Sequence, residues 1–155
     1  MAVRGRNDDM NERNSDAIQP VNPGTFTVPE PADTAPELLG GYCRTCRTHH
    51  YPRPRYCPSC LGGLERRSVG GRGTIHSFTV VRTKPPLGLP QPYSVGYVDL
   101  DESGLRVFAL LDPERMEDLK LGARVHLTVR SMGHDGRGEA RLRPCFTPEK
   151  AGEGT

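Results

Sequence analysis

The chain has 155 residues, which is room for one modest domain or two small modules and too little for a large enzyme core. Hydrophobic residues make up 34% of it, while 18 glycines and 15 prolines favour short strands and turns over long helices. No apolar run approaches the roughly 20 residues that span a bilayer, and the N-terminal stretch MAVRGRNDDMNERNSD lacks the apolar region of a signal peptide. We therefore expect a cytoplasmic protein that makes no membrane contact.

The net charge of +2 hides an uneven distribution along the chain. Residues 1–40 carry three basic and seven acidic side chains, residues 41–75 carry seven and one, and residues 76–155 carry eleven of each. The basic segment suits phosphate groups, either of a nucleic acid or of a nucleotide-bearing ligand, or the acidic surface of another protein. A solvated basic face is the plainest alternative.

The first 41 residues contain little regular pattern. Residues 1–24 are polar, charged and rich in turn formers, so we interpret them as a disordered tail. Residues 25–41 contain Pro29, Pro31 and Pro36, which exclude a long helix. The same stretch also has apolar side chains that can pack on a neighbour: Phe26, Val28, Leu38 and Leu39. We interpret it as a linker or docking segment that orders on contact.

The next segment, residues 42–70, holds four of the five cysteines as two Cys-x-x-Cys pairs separated by ten residues: Cys43, Cys46, Cys57 and Cys60. In a reducing compartment, thiols at this spacing favour a metal site over disulfides. Four thiolates suit tetrahedral Zn²⁺, with Zn–S distances of about 2.3 Å, and leave no position for water. We predict a zinc ribbon with one structural zinc ion per chain. Iron accepts the same ligands and stays open at this point, whereas His49 and His50, between the pairs, are expected at the surface.

Beyond the cysteines the apolar residues recur with period two, which is typical of half-buried strands. We predict strands at residues 73–83, 93–101, 104–111, 124–132 and 139–146. The four prolines of residues 84–92 predict an exposed loop. Residues 112–121 predict one short helix, with Asp112 as its N-cap and Pro113 in its first position.

Three strands, a short helix and two more strands is the order of an OB-fold, a five-stranded partly open barrel. The predicted fold class is therefore mostly β: an N-terminal zinc ribbon followed by an OB-fold barrel at residues 71–148 and a short tail at 149–155. A generic small β-barrel is the alternative.

The sequence contains no pattern typical of a catalytic site. Cys145, the one cysteine outside the pairs, lies between Pro144 and Phe146 and fits a buried strand position. The remaining histidines, His76, His126 and His134, are dispersed, and no HExxH, GxSxG or GxxxxGK motif occurs. We expect no catalytic residue in this chain and hence no enzyme by itself.

A zinc ribbon joined to an OB barrel can also bind nucleic acid, by stacking bases on aromatic side chains beside basic groups. The barrel segment has as many acidic as basic residues, the chain has no Trp, and its few aromatic residues are scattered along the segment. A nucleic-acid-binding protein is therefore the less favoured alternative.

Four segments carry a resemblance to a known family. They are, in order, GYCRTCRTHHYPRPRYCPSC, GRGTIHSFTVV, YSVGYVDLDESGLRVFALL and RLRPCFTP. Together they resemble the DUF35 family over about residues 36–148. The resemblance implies a rubredoxin-like zinc ribbon followed by an OB-fold domain associated with acyl-CoA. The chain departs most visibly at Arg66-Arg67 and in the prolines of residues 84–92.

What the resemblance implies is a non-catalytic accessory subunit of thiolase-superfamily enzymes, in a hetero-oligomer whose thiolase-fold partner supplies the reactive residue. That partner would be a thiolase or a thiolase-like aldolase in the catabolism of a bulky aromatic, sterol or fatty acyl chain, with acyl-CoA at the interface. The basic segment would then offer four arginines to the phosphates of CoA, or alternatively to an acidic partner surface: Arg44, Arg47, Arg53 and Arg55.

Overall fold

The computed structural model describes residues 17–30 and 34–150. Within them the chain forms nine strands: β1 Gln19–Pro20, β2 Leu38–Cys43, β3 Thr48–His50, β4 Glu65–Gly70, β5 Arg72–Val81, β6 Tyr93–Leu100, β7 Arg106–Leu111, β8 Arg124–His134 and β9 Ala140–Pro148. They build two sheets, a small one in the order β3-β2-β4 and a larger one in the order β1-β9-β7-β6-β5-β8. No helix in the described part is long and apolar enough to cross a membrane.

The larger sheet closes into a barrel of five strands. β5 pairs antiparallel with β6, and β6 with β7, along most of their lengths. β8 pairs with β5 at its start and with β9 along its whole length, while β7 meets β9 at Leu111 and Phe146. Closure leaves few unpaired strand edges. The predicted mostly-β fold, a ribbon followed by a five-stranded OB barrel, is confirmed.

The predicted helix between the third and fourth barrel strands is a 3₁₀ helix at Pro113–Asp118, shorter than the expected span. Asp112 caps it as expected, since its carboxylate accepts a hydrogen bond from the backbone N–H of Glu114 at 2.9 Å. Arg115 kinks the helix near its middle, with φ −124°, and Leu119, which follows the helix, is buried. A second 3₁₀ turn, Pro86–Gly88, lies within the proline-rich loop.

The predicted docking segment packs on this chain's own core. The backbone N–H of Thr27 donates to Glu37 O at 2.9 Å, and that of Leu39 donates to Thr25 O at 2.8 Å. Phe26 forms a bridge with Leu38, the first residue of β2, and both side chains are buried. The last residues of the predicted linker therefore belong to the ribbon sheet, and its residues 31–33 lie outside the described part.

Of the predicted N-terminal tail, residues 1–16 lie outside the described part. β1, further along it, runs parallel to β9, and the N–H of Val21 donates to Leu142 O at 2.9 Å. At the other end, residues 151–155 are outside the described part, whereas the N–H of Glu149 donates to Arg124 O at 2.9 Å. The boundaries of the predicted domains stay predictions.

One apolar core connects the ribbon to the barrel. Side chains from every barrel strand and from the segments before it belong to a single cluster: Phe26, Leu38, Val69, Ile75, Val98, Leu100, Val107, Leu111, Leu119, Val125, Leu127 and Phe146. Because β2 and β4 contribute Leu38 and Val69 to it, burial of apolar surface holds the ribbon on the barrel.

Candidate metal centre

The ribbon sheet positions the first cysteine pair. Cys43 is the last residue of β2, and the chain then turns back into β3, where Thr48 pairs with Cys43. The two strands approach closely at Gly40, because a Cβ there would lie 2.2 Å from His50 O. Only glycine allows this approach. It holds the end of β3, from which the chain continues to the second cysteine pair, close to β2.

The second pair forms a closed turn of its own. The N–H of Leu61 donates to Cys57 O at 2.8 Å, and the N–H of Cys57 donates to Gly62 O at 2.9 Å. These two bonds fold the segment from Cys57 to Gly62 back on itself, so that Cys57 is buried while Cys60 is exposed. Each cysteine pair thus presents two thiols from one tight turn.

The four sulfur atoms converge on one point. All lie within 4.8 Å of one another. Cys43 Sγ and Cys60 Sγ are 3.6 Å apart, and Cys57 Sγ and Cys46 Sγ are 3.9 Å apart. A tetrahedral zinc ion with Zn–S bonds of about 2.3 Å separates its sulfurs by about 3.8 Å. The spacing of the thiols therefore fits a zinc ion at their centre, and this geometry brings together all four cysteines predicted as ligands.

Backbone N–H groups point at the sulfurs from both turns. The N–H of Cys46 donates to Cys43 Sγ, and the N–H of Gly62 donates to Cys60 Sγ, each at 3.4 Å. Such donors around a metal site orient the ligands and stabilise negative charge on them.

The same surroundings distribute charge unequally among the thiols. Backbone N–H groups of Cys60 and Ser59 lower the pKa of Cys57 to about 6. A hydrogen bond with the Cys60 thiol raises the pKa of Cys46 to about 12. Without a cation, four neighbouring thiols resist full ionisation because their charges repel; a bound Zn²⁺ ion removes that penalty and releases the protons.

Both histidines of this region, which were expected at the surface, lie on β3 and are half-buried. The ring of His49 packs against that of Tyr42, with centroids 4.8 Å apart. His50 Nε2 lies 4.0 Å from Cys57 Sγ and 3.0 Å from Thr48 Oγ1. His50 therefore lies beside the thiol cluster, which consists of the four cysteines.

The four arginines predicted to face anions are all exposed. Arg44 Nε already donates to Glu65 Oε2 at 2.8 Å. Among the described residues, Arg47, Arg53 and Arg55 have no carboxylate partner, and Arg55 lies 5.4 Å from the ring centroid of Tyr56. Their assignment to CoA phosphates stays a prediction.

Cys145 occupies the buried strand position that the sequence indicated. It is fully inaccessible, and burial raises the pKa of its thiol. Its Sγ lies 3.2 Å from Thr128 Oγ1, which also contacts Thr147 Oγ1 at 2.9 Å. A protonated, enclosed thiol is a poor nucleophile.

Sequence reasoning missed two features of the barrel. Asp112, predicted only as a cap, is fully buried and is held by Arg130 and Thr147. Tyr97 and Phe108, expected to be scattered aromatics, pack edge to face with centroids 5.3 Å apart and are both exposed. The signal for the aromatic pair was present, because strand alternation places both side chains on the outer face and the hairpin aligns them.

Comparison with known proteins agrees with this architecture. The family model described as "ChsH2, rubredoxin-like zinc ribbon domain" matches residues 32–65, and "ChsH2, C-terminal OB-fold domain" matches residues 66–130. The four-thiol cluster together with the first match indicates that the ribbon binds zinc.

Individual relatives extend the similarity. The benzoylsuccinyl-CoA thiolase subunit BbsA of Thauera aromatica is 40% identical over 94 residues, which are 57% of this chain and 64% of that subunit. A DUF35 domain-containing scaffold protein of Methanothermobacter thermautotrophicus is 30% identical over 102 residues, 64% of this chain and 76% of the relative. Among solved structures, a chain of the Ltp2-ChsH2(DUF35) aldolase is 26% identical, with a TM-score of 0.58 over 72% of this chain and 84% of that chain. The chain thus belongs to the DUF35 family, with a zinc ribbon and an OB-fold domain of the ChsH2 type.

Proposed function

We propose that this chain is a zinc-stabilised, non-catalytic accessory subunit of a hetero-oligomeric thiolase or thiolase-like aldolase. The observation that carries the proposal is the similarity to two proteins whose names describe such assemblies, a CoA thiolase subunit and an aldolase containing a DUF35 chain. In this role the chain stabilises a thiolase-fold partner, which supplies the reactive residue. The proposal places the complex in the cytosol, where reducing conditions keep the thiols available to zinc.

The zinc ion has a structural role in this proposal, with one ion per chain. Its support is the donor set: four thiolates complete a tetrahedral shell, so no position is left for a substrate or an activated water. Cys43 and Cys57 are buried, so two of the four ligands are shielded from solvent. Metal analysis of the purified chain tests both metal and stoichiometry. A colourless protein with one zinc per chain is expected, and a red ferric tetrathiolate would overturn the assignment.

The substrate in this proposal is an acyl-CoA with a bulky aromatic, sterol or fatty chain. Arg53 and Arg55 support contact with CoA, because both are exposed and unpaired among the described residues and a guanidinium binds phosphate with two parallel hydrogen bonds. The matched test measures acyl-CoA affinity of the assembled complex with Arg53→Ala and Arg55→Ala in one chain. Arg137→Ala, which removes an exposed arginine from the turn between β8 and β9, serves as the control. Weaker binding in the first variant alone is expected, and equal affinity in both would remove CoA contact from the proposal.

The direct test of the proposed function is affinity isolation of the tagged chain from its native host, followed by mass spectrometry of whatever co-purifies in near-equal amount. A thiolase-fold protein in stoichiometric yield is the expected result. Isolation of the chain by itself, or with nucleic acid that dissociates at high salt, would contradict the proposal.

The exposed pair of Tyr97 and Phe108 favours nucleic-acid binding as a second candidate. The two rings lie on the second and third barrel strands, the face that OB-folds use for oligonucleotides. Against this candidate, Arg106 on the same face donates two hydrogen bonds to the Asp99 carboxylate, at 2.7 and 3.1 Å. Its positive charge is therefore already paired and is less available to a phosphate. Fluorescence anisotropy with a single-stranded oligonucleotide at low salt distinguishes the candidates, and we expect no binding.

A further inference from the structure

One edge of β7 has no neighbouring strand over most of its length. β7 pairs with β6 from Arg106 to Leu111, but it pairs with β9 only at Leu111. In the described part of the chain no further strand pairs with it. A row of unpaired backbone N–H and C=O groups along a strand edge is a template for another strand.

The hydrogen bonds next to β7 show which residues face this open edge. The C=O of Leu105, just before the strand, accepts from the N–H of Leu100 on β6 at 2.8 Å. Successive residues of a strand direct their backbone groups to opposite sides, so Val107 faces β6, whereas Arg106 and Phe108 face the open edge. Within residues 17–30 and 34–150, no backbone hydrogen bond reaches Arg106 or Phe108 from that side.

β7 lacks the features that usually protect a strand edge. Proline, lysine and β-bulges prevent edge pairing in many sheets. β7 has the sequence RVFALL, and its register with β6 contains no shift. Its one charged side chain, Arg106, is engaged by Asp99. By contrast β5, which pairs with β8 only at its first residues, has a bulge between Ile75 and Ser77 where its free stretch begins.

The sheet face beside this edge is apolar and ends in balanced charges. Phe108 is 61% exposed and Tyr97 is 44% exposed, and their rings pack edge to face. The next cross-strand pair on this face joins Asp99 to Arg106. Because one acidic and one basic group cancel there, two copies of this face can approach each other without net repulsion.

We infer that two copies of this chain pair antiparallel through the open edges of β7. With the two-fold axis at Val107, Arg106 of each copy lies opposite Phe108 of the other, so the backbone groups that face the edge exchange hydrogen bonds. The same register places each Arg106 guanidinium beside the Phe108 ring of the other copy, a favourable cation–π arrangement. The matching directions of the backbone groups and the balanced charges favour a second copy over a strongly charged partner. The inference goes beyond the proposed accessory role and does not depend on it.

The test is sedimentation velocity on the zinc-loaded full chain from about 1 to about 200 µM, because a small interface gives a dimer Kd on the order of 10 µM. Phe108→Lys puts a lysine at the edge and should raise this Kd at least about tenfold. Its zinc content, and its Tm at the lowest concentration, should stay close to those of the natural chain. Leu121→Lys, which changes a leucine that is 70% exposed in the turn before β8, should leave the Kd unchanged.

Amide hydrogen exchange of the natural chain locates the interface independently of any variant. The N–H of Phe108 should gain protection as the concentration rises, whereas that of Val107, which faces β6, should be protected throughout. If Phe108→Lys loses zinc or stability, this measurement decides, and protection of Phe108 that does not depend on concentration overturns the inference.

Three other results would also overturn it. The first is a chain that stays monomeric over the whole range. The second is a dimer that retains its Kd in Phe108→Lys while the N–H of Phe108 exchanges freely, because the contact then lies elsewhere. The third is protection of Phe108 that appears only when a thiolase-fold subunit is added to a monomeric chain, which assigns the edge to that subunit. None of these results contradicts the proposed function, which fails only if the chain binds no such subunit.

Discussion

Replacement of Asp112 by alanine removes a carboxylate that is fully buried at the end of β7. Arg130 donates to its two oxygens at 3.2 and 2.8 Å, Thr147 Oγ1 donates at 2.8 Å, and the N–H of Glu114 donates at 2.9 Å. The network connects β7, the 3₁₀ helix, β8 and β9, which are the elements around the closing seam of the barrel.

The expected loss in the free energy of unfolding is about 3 kcal/mol. Removing one partner of a buried ion pair costs about 3–5 kcal/mol. The lower end of this range applies here, because the Arg130 side chain is 34% exposed and still has an ion pair with Glu114 Oε2, at 2.7 Å, after Asp112 is replaced. Arg130→Met should cost about 4 kcal/mol, since it leaves the enclosed carboxylate charged and with fewer donors. For a domain of this size, 3 kcal/mol corresponds to a fall in Tm of about 12 °C.

Urea unfolding followed by circular dichroism in zinc-saturated buffer measures these differences. The double variant closes a thermodynamic cycle and should cost less than the sum of the two single changes, because neither charge is then left alone. Arg137→Ala, which changes an exposed arginine in the turn between β8 and β9, is the control. A loss below about 1 kcal/mol for Asp112→Ala, or strict additivity in the cycle, would refute the reasoning.

Three further predictions concern the metal, the pH dependence and the fifth thiol. Cys43→Ser should abolish zinc binding and assembly with the partner, measured by metal analysis and size-exclusion chromatography; zinc retained in a normal complex would contradict the structural role. Two hydrogen bonds from Arg141 hold the pKa of Asp135 at about 2, below its ordinary 3.8, so its stabilising contribution is present above pH 4 and lost as the pH falls toward 2. The Tm deficit of Asp135→Asn should therefore shrink over that interval, and a constant deficit would exclude this ion pair as the cause. Cys145 should resist thiol reagents in the folded protein, and Cys145→Ala should leave the activity of the complex unchanged; a loss of activity at normal stability would argue against its inert role.

The fold was predictable because its signals are local. Period-two alternation located all five barrel strands, and their order with one capped helix between the third and fourth specifies the OB topology. The cluster of four thiols was also predictable, because two Cys-x-x-Cys pairs at this spacing are typical of a single metal site. The helix type could not be predicted from the residues, because the kink at Arg115 is visible only in the backbone dihedral angles.

What the sequence did not disclose depends on pairs of residues far apart along the chain. Asp112 contacts Thr147 only because the fold brings the end of β7 beside β9. The buried hydrogen-bonded ion pair could therefore not be predicted from residue type or spacing. The conformation of Leu61 follows from the bond that closes its turn, and its exposure from the absence of packing among the described residues. The arginines present the opposite case: their positive charge was evident, but only coordinates show that Glu65 already engages Arg44.

The most direct test of the central claim is light scattering on size-exclusion chromatography of this chain with the proposed thiolase-fold partner, before and after zinc is removed by a chelator. A zinc-dependent accessory subunit predicts one co-eluting complex that dissociates without zinc and forms again when zinc is restored, while the partner's catalytic activity follows the complex. A partner that keeps its assembly and activity without this chain, or a complex that is indifferent to zinc, would contradict the account.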